Sequence, residues 1–267
     1  MAHFHVFTDV HDTAEGLRIR HVNVQDVLDA LRLGFADFWE KPSHIVFLCL
    51  IYPIAGFILF KWAFGQNYLQ LIYPLITGFA LVGPFAALGL YEISRRRESG
   101  LDTSWIHALK VWRSPAVPAI AVVGGILVAL FLAWVFTAQM LYATIYSPTP
   151  PDALLPFLVD VLTTTKGWTL IIVGNLVGFF FALAALVVSA ISLPLLLDRD
   201  VGAVPAIKTS IAAFVRNPGP ILLWGFIVAA GLVLGSLPFL VGLALVLPIL
   251  AHATWHLYRK VVDAPAV

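Results

Sequence analysis

The stretch GPFAALGLYEISRRRESG, residues 83–100, joins the end of a long apolar run to three consecutive arginines. The run begins at Tyr68 and continues to Ile93, which exceeds the roughly 20 residues that a helix needs to cross a hydrocarbon core about 30 Å thick. Arginine is expensive to move through hydrocarbon and gathers on the cytoplasmic side. The stretch therefore predicts a membrane-spanning helix whose carboxyl end lies in the cytoplasm.

The composition agrees with a membrane protein. The 267 residues are 60% hydrophobic and 12% charged, against about 25% charged in an ordinary soluble domain. The net charge of +1 gives no reason to expect nucleic acid as a partner. Residues 1–23 have no apolar core and no secretory pattern, so we expect a cytoplasmic tail. The single cysteine, Cys49, excludes an internal disulfide.

Apolar runs long enough to cross the membrane occur six times, so the expected fold is an all-α, polytopic membrane protein. The fifth and sixth runs are separated only by GSLP, Gly235 to Pro238, which we interpret as a tight turn. The predicted crossings are His44–Trp62, Tyr68–Ile93, Pro118–Tyr142, Thr169–Leu197, Gly219–Ser236 and Phe239–Tyr258.

The cations predict the orientation. With six crossings, all but two of the 16 lysines and arginines fall on one side, and only Lys61 and Lys166 fall on the other. The positive-inside rule then places both termini in the cytoplasm, and the expected location is a bacterial inner membrane.

Three similar segments precede the odd-numbered crossings. ALRLGFADFWEKP (30–42) matches AIKTSIAAFVRNP (206–218) without gaps, and ALKVWRSP (108–115) is a shorter relative. Each has an apolar side and closes with proline, so each predicts an amphipathic helix lying at the cytoplasmic interface.

The even-numbered crossings each contain a proline in the cytoplasmic half, namely Pro84, Pro194 and Pro248. Proline removes a backbone hydrogen bond and bends a helix. The interpretation is three parallel helical hairpins, each preceded by an interface helix. The repeat units are about 24–98, 101–200 and 201–262 of a membrane domain over 24–262, followed by a tail at 263–267.

The first interface helix has the clearest signals. Asn23 is expected to cap it, with Asp26 as the reciprocal acid. Its apolar side is predicted from Val24, Val27, Leu28, Leu31, Phe35 and Phe38.

The segment LPILAHATWHLYRK, residues 247–260, contains the main candidates for a ligand site. His252 and His256 are four residues apart and so lie on one side of a helix. His256 is at interfacial depth beside an aromatic and cationic rim, as is His44, whereas His252 lies deeper. A structural role for these histidines is favoured over haem or metal binding.

The carboxylates are interpreted as structural. Glu92 stands one turn before Arg95 and Arg96, which favours a local ion pair over a proton relay. Asp198 and Asp200 are expected to pair with neighbouring cations rather than with a divalent ion. No phosphate loop, metal-spaced cluster or nucleophile motif is present. We therefore predict no catalytic residues, no metal, no cofactor and no enzymatic activity.

Small and amide residues within the crossings predict helix packing. Gly174 with Gly178, and Gly231 with Gly235, are spaced to let helices approach closely, and packing within the chain is favoured over an oligomer interface. Asn175 is expected to form an interhelical hydrogen bond. The long outer loop is expected to contain an amphipathic helix that rests on the membrane or on a partner, formed by Leu154, Leu155, Leu158, Val161 and Leu162.

The stretch at 83–100, together with SLPLLLDRDVGAVPAIKTS and the sequence after it as far as YRK (192–260), resembles the bacterial membrane family called domain of unknown function 2189. The resemblance extends from about Asp26 to Val262. Some members carry the label cytochrome c oxidase. A catalytic haem-copper subunit has about twelve crossings and several deep histidines, whereas this chain has six crossings and essentially one deep histidine, His252.

Three functions follow in order of preference. The first is a non-catalytic accessory, assembly or scaffolding protein whose partners are membrane lipid and other membrane proteins or copies of itself, next to a respiratory complex by analogy only. The second is a carrier or channel for a small solute or lipid, although the middle of the crossings offers little besides Thr77, Asn175 and Ser189. The third is a redox subunit using His252 with His44 or His256.

The orientation is directly testable. A phosphatase reporter fused after Val267 should be inactive and a fluorescent-protein reporter at the same place should be bright, because the positive-inside rule places this end in the cytoplasm. Fusions within the 147–153 loop serve as the opposite control. An active phosphatase after Val267 would contradict the six-crossing arrangement.

Overall fold

The computed structural model describes residues 17–40, 54, 58, 69–104, 107, 111–147, 149–237 and 242–263. Within this part of the chain the structure is mainly helical, as expected. The helices are α1 (Val24–Glu40), α2 (Ile72–Ala86), α3 (Leu88–Glu98), α4 (Val117–Ile145), α5 (Leu154–Thr163), α6 (Thr165–Ser189), α7 (Ser192–Asp198), α8 (Ala203–Arg216), α9 (Pro218–Ser236) and α10 (Leu243–Val261). Single 3-10 turns occupy Leu69–Leu71 and Val111–Arg113.

Four helical segments of the described residues are long and apolar enough to cross a membrane. They are Leu69–Glu98, Val117–Ile145, Thr165–Asp198 and Pro218–Ser236, and they coincide with the second to fifth predicted crossings. Of the first predicted crossing the structure describes only residues 54 and 58, and His44 lies outside the described residues. The sixth coincides with α10, which is not among the four, so six crossings and three hairpins remain predictions.

Two of the predicted proline bends occur as helix breaks. The helix containing Pro84 stops at Ala86 and resumes at Leu88, and the helix before Pro194 stops at Ser189 and resumes at Ser192. The Ser210 hydroxyl of α8 lies at the second break, where it donates to Val187 O at 2.7 Å and accepts from Ile191 N at 3.3 Å. Helix α10 is continuous through Pro248.

The described chain forms two compact units. The first takes its residues from Met1–Tyr52, Pro84–Gly125 and Leu186–Val267, and the second from Pro53–Gly83 and Ile126–Ala185. In the first unit α10 packs against α1, α3 and α9. Most of the second half of α10 is buried, including Leu250, Ala253, Trp255, Leu257 and Tyr258.

Helix α1 begins as predicted. Asn23 Oδ1 accepts from Asp26 N at 3.1 Å, and Asp26 Oδ2 accepts from Asn23 N at 2.9 Å. Hydrogen bonding to the backbone of Asn23 outweighs burial and keeps the pKa of Asp26 below its usual value. The capping box is therefore confirmed.

The predicted apolar side of α1 divides into two parts. Val27 and Phe38 are buried, but Val24, Leu28 and Phe35 are exposed. The buried side is centred instead on Ala30 and Gly34. Small residues carry the contact because α10 comes very close: a Cβ placed on Gly34 would lie 2.6 Å from Ala253 Cβ and closer still to the Ala253 backbone.

A two-stranded ribbon adds to the first unit and was not predicted. The strands Arg18–Ile19 and Val262–Asp263 pair in antiparallel fashion, and Arg20 pairs with Asp263. The buried Asn217 amide donates to Arg20 O and accepts from Val22 N, both at 2.9 Å. Residues 18–23 and 263, which were predicted to belong to the tails, therefore take part in the fold of the first unit.

The second unit is organised around Trp134. Its indole Nε1 donates to Pro74 O at 2.9 Å, and its ring and that of Phe131 fill the space beside Gly78. Tyr73 OH donates to Asn175 Oδ1 at 2.7 Å. The predicted interhelical hydrogen bond of Asn175 is confirmed.

The predicted outer amphipathic helix is α5, and none of its residues is buried. Gly167, at the start of α6, lies so close to the Val161 backbone that no Cβ fits. Trp168 Nε1 donates to Leu162 O at 3.1 Å. These contacts fix α5 to the head of α6.

The glycine pairs differ in their surroundings. A Cβ on Gly231 or Gly235 would lie 3.1 to 3.2 Å from side-chain atoms of Val246 on α10, which confirms close packing within the chain. A Cβ on Gly178 would lie 3.1 Å from the Trp134 ring. No described atom lies within 4 Å of a Cβ placed on Gly174. Among the described residues, Gly174 therefore lies against no neighbouring helix.

The approach of α1 to α10 predicts a mutational asymmetry. Gly34→Ala should destabilise the protein by about 1 to 3 kcal/mol, because overpacking against backbone outweighs the gain of about 1 kcal/mol in helix propensity. Gly174→Ala is the matched control and should stabilise the protein by up to about 1 kcal/mol, because only the gain in helix propensity applies there. Thermal unfolding in detergent would measure both, and equal midpoints for the two variants would contradict the close contact.

Candidate functional site

The polar cluster at the junction of α1, α3 and α10 is the principal candidate site. We call it the Asp37 cluster: Asp37 and Glu40 from α1, Ser94 and Arg97 from α3, and His252 and His256 from α10. All six lie in the first unit. The sequence predicted the two histidines and missed the other four.

Asp37 is the centre of the cluster, and its side chain is only 4% exposed. Its Oδ2 accepts a hydrogen bond from Ser94 Oγ at 2.5 Å and lies 2.9 Å from His256 Nε2 and 3.9 Å from His252 Nδ1. Its Oδ1 pairs with Arg97, which also pairs with Glu40. Every oxygen of this buried carboxylate therefore has a partner, as a buried charge requires.

The directions of these hydrogen bonds follow from the chemistry of the groups. An ionised carboxylate only accepts, so the single hydroxyl proton of Ser94 and the Nε2 proton of His256 point to Asp37. Ser94 Oγ lies 2.7 Å from His252 Nδ1 and has only a lone pair left for that contact. His252 therefore carries its proton on Nδ1 and donates to Ser94.

This arrangement is the reverse of a hydrolytic triad. There, histidine accepts the serine proton and donates its other proton to the carboxylate. Here His252 donates to Ser94, and Ser94 donates to Asp37. The serine is thus held as a link between histidine and carboxylate rather than as an activated nucleophile.

The electrostatics of Asp37 combine opposing effects. Burial raises the pKa of the carboxyl, while hydrogen bonds from His256 and Ser94 and the charges of His256 and His252 lower it more. The net result is a pKa below the usual value. Asp37 is therefore ionised at neutral pH, and its charge is compensated by the groups around it.

Ion pairs of the same unit surround the Asp37 cluster. Glu92 is buried and binds Arg95 in a two-point contact of 2.7 and 2.9 Å, with Arg96 at 3.6 Å. The predicted local ion pair of Glu92 is confirmed.

Two further carboxylates bind groups of α10. Glu98 accepts from Trp255 Nε1 at 3.1 Å and Arg259 Nε at 3.0 Å. Asp198 accepts from Tyr258 OH at 2.7 Å and lies 3.5 Å from Arg259 Nη1. The expectation that Asp198 pairs with neighbouring cations is confirmed.

The two histidines of the cluster take part in hydrogen bonds. Within the ranges that the structure describes, no group of three or more His, Cys, Asp and Glu side chains is arranged to hold a metal ion. His252 and His256 both point to the Asp37 cluster, but Ser94 stands between His252 and the carboxylate. His44 lies outside the described residues.

A signal for the missed residues exists in the matched segments. Asp37 occupies the position that Ala213 takes in the second matched segment, and Ala213 is completely buried. Aspartate is rarely buried unless it is paired, so a carboxylate aligned with a buried alanine indicates an ion-pair or hydrogen-bond partner. The partners on α3 could not be found this way, because Ser94 and Arg97 belong to an ordinary helix end.

Comparison with known proteins supports the membrane assignment. The family model DUF2189, described as a predicted integral membrane protein, matches residues 72–198. The resemblance is confirmed over that segment, whereas most of the second stretch, after residue 198, lies beyond it. No curated protein and no solved structure gives a match.

The Asp37 cluster predicts a pH-dependent contribution to stability. Asp37→Asn should cost about 3 kcal/mol at pH 7, since removing one member of a buried ion pair leaves the others uncompensated. A lowered pKa means that the stabilisation is present above the unfolded pKa of about 3.9 and is lost as pH falls through the folded value. The difference in free energy of unfolding between wild type and Asp37→Asn should therefore shrink as the pH falls below about 3.9.

Unfolding midpoints in detergent from pH 7 to pH 2 would measure this effect. Asp29→Asn is the control: the Asp29 side chain is 42% exposed and its Lys260 contact is 3.5 Å, so it should change stability by less than about 1 kcal/mol. A constant difference between wild type and Asp37→Asn across the pH range would contradict the ionised state of Asp37.

Proposed function

We propose that this integral membrane protein, whose residues 72–198 match the DUF2189 family, is a non-catalytic accessory or assembly protein of a bacterial inner membrane, with both termini in the cytoplasm. In this proposal α5 docks on a partner membrane protein. A respiratory complex as that partner rests on analogy alone.

The surface of α5 is the observation that carries the proposal. Four large apolar side chains on this helix are exposed, and Leu155 is 72% exposed. Gly167 and Trp168 hold the helix in place, so its surface is preorganised for binding. The four side chains are Leu155, Leu158, Val159 and Leu162.

Charge favours a protein over lipid as the occupant of this surface. Helix α5 contains Asp160 and no lysine or arginine. Interfacial helices that bind bilayers are typically rich in cations on their polar side, which attract anionic headgroups. An acidic helix with an apolar stripe fits better into a groove of a partner protein.

The polar groups of the chain support a non-catalytic role. In the Asp37 cluster the hydroxyl proton of Ser94 is directed to a carboxylate, which leaves no base to activate that serine. Thr77 donates to Tyr73 O within its own helix, and Asn175 binds Tyr73. These bonds occupy groups that a carrier would need for a substrate, so the carrier ranks second, and the redox subunit third.

Photo-crosslinking in native membranes tests the proposal. A benzoylphenylalanine replacing Leu158 should crosslink one membrane protein in stoichiometric amount. Leu155→Asn with Leu162→Asn should reduce its copurification by about tenfold or more, because each buried leucine contributes about 1.5 to 3 kcal/mol. Leu33→Asn with Leu101→Asn, which replaces two exposed apolar residues outside α5, is the control and should retain the partner.

Crosslinks to lipid alone, or equal loss of the partner in both double variants, would contradict docking through α5. Recovery of the bare chain from native membranes would contradict the accessory role itself.

A further inference from the structure

Helices α1 and α8 expose matching apolar stripes. When the register that aligns 30–42 with 206–218 is extended by two residues at its start, three large exposed apolar residues of α1 have an exposed apolar counterpart on α8. The last pair is the most exposed, with Trp39 at 67% and Val215 at 71%. The aligned pairs are Leu28 with Val204, Phe35 with Ile211, and Trp39 with Val215.

The buried sides of the two helices match as well. Ala30 and its counterpart Ala206 are both completely buried, and Gly34 and its counterpart Ser210 are both buried. Both helices belong to the first unit. The same register therefore turns the same side of each helix inwards and leaves the same stripe uncovered.

Each stripe has a cation at the equivalent position. Arg32 and Lys208 are exposed. Arg32 lies four residues after Leu28 and three before Phe35. Lys208 lies four residues after Val204 and three before Ile211. Among the described residues neither forms an ion pair. Their long apolar stems can lie along a hydrophobic surface while the charged ends reach past it.

The position of the stripes relative to the bilayer follows from Asn217. This residue stands between the end of α8 and Pro218, the first residue of the candidate span α9. Its side chain also binds the backbone of Arg20 and Val22, immediately before α1. The start of α1 and the end of α8 are therefore fixed beside the first residue of the candidate span α9.

We propose that α1 and α8 together form a lipid-binding surface that selects anionic phospholipid headgroups through Arg32 and Lys208. The apolar stripes enter the boundary between headgroups and acyl chains, with the stacked rings of Phe35 and Trp39, 5.7 Å apart, as the aromatic part of the contact. Continuity with the candidate span α9 and the cation within each stripe favour the bilayer as the occupant, since Asp29 and Glu40 of α1 pair with Lys260 and Arg97. The proposal is independent of docking through α5.

Lipid contact is tested with labels in the full-length chain. In a Cys49→Ala background, Phe35→Cys, Ile211→Cys and Ala36→Cys are labelled separately with an environment-sensitive fluorophore and placed in vesicles of phosphatidylcholine and phosphatidylglycerol. Ala36 is exposed but lies 100° around the helix from Phe35. Nitroxide lipid should quench the labels at 35 and 211 several-fold more than the label at 36.

Headgroup selection is tested by native mass spectrometry of the purified chain. Arg32→Gln with Lys208→Gln should lower the retained ratio of phosphatidylglycerol to phosphatidylcholine by about fivefold or more, since one cation near an anionic surface changes binding about fivefold. Arg18→Gln with Arg113→Gln removes two other exposed cations and should leave the ratio unchanged. Size-exclusion profiles confirm that all variants fold.

The other outcomes overturn the proposal. If aqueous iodide quenched the labels at positions 35 and 211 as strongly as the label at position 36, the stripes would face water. Protection from both quenchers would show that protein covers them. An unchanged lipid ratio in the Arg32 and Lys208 variant, or an equal loss in the control, would remove headgroup selection.

Discussion

The close approach of α1 to α10 at Gly34 and Ala253 is the constraint on which the first unit depends. With no side chain at Gly34, the two helices meet backbone to backbone, and this brings Asp37 within hydrogen-bond distance of His256. A wider separation would leave Asp37 without its α10 partners. The same contact explains the composition of α10, whose second half contains His252, Thr254 and His256 where a lipid-facing helix would be apolar. Those polar groups are compatible with burial because neighbouring helices, and not lipid, surround them.

The Asp37 cluster has a cost and a structural consequence. Removing the Asp37 carboxylate from water costs several kcal/mol, which is offset only by good geometry and several hydrogen bonds. Asp37 meets this condition through Ser94, His256 and Arg97, which come from two other helices. Sliding α1 along α10 by one residue would break all of these bonds at once, whereas apolar contacts would be partly replaced. The cluster therefore specifies one alignment of α1, α3 and α10.

The elements of the fold were largely predictable, and the contacts between them were not. Apolar run length located the four candidate spans to within a few residues, and the capping signal at Asn23 and Asp26 identified the start of α1. Local patterns carry both signals. The buried side of α1 was misjudged because counting large apolar residues overlooks Ala30 and Gly34, whose small size is what permits the contact. His252 was identified as the residue of interest, but its partners Ser94 and Asp37 are more than 150 residues away along the chain, and no local pattern links them.

The two matched helices show how similar sequences serve different contacts. Position 34 of α1 and position 210 of α8 are equivalent and equally buried, yet one is glycine and the other serine. At α1 the partner is the intact helix α10, whose backbone groups are satisfied, so the missing side chain gives the closest packing. At α8 the partner is the break before Pro194, where helix α6 ends and leaves backbone groups without helical partners. The Ser210 hydroxyl binds two of these groups, Val187 O and Ile191 N. Exchanging the two residues would place a hydroxyl where no space exists and remove it where the backbone needs it. The shared pattern thus fixes which side of each helix is buried, and the residue at the centre of that side is adapted to the particular partner.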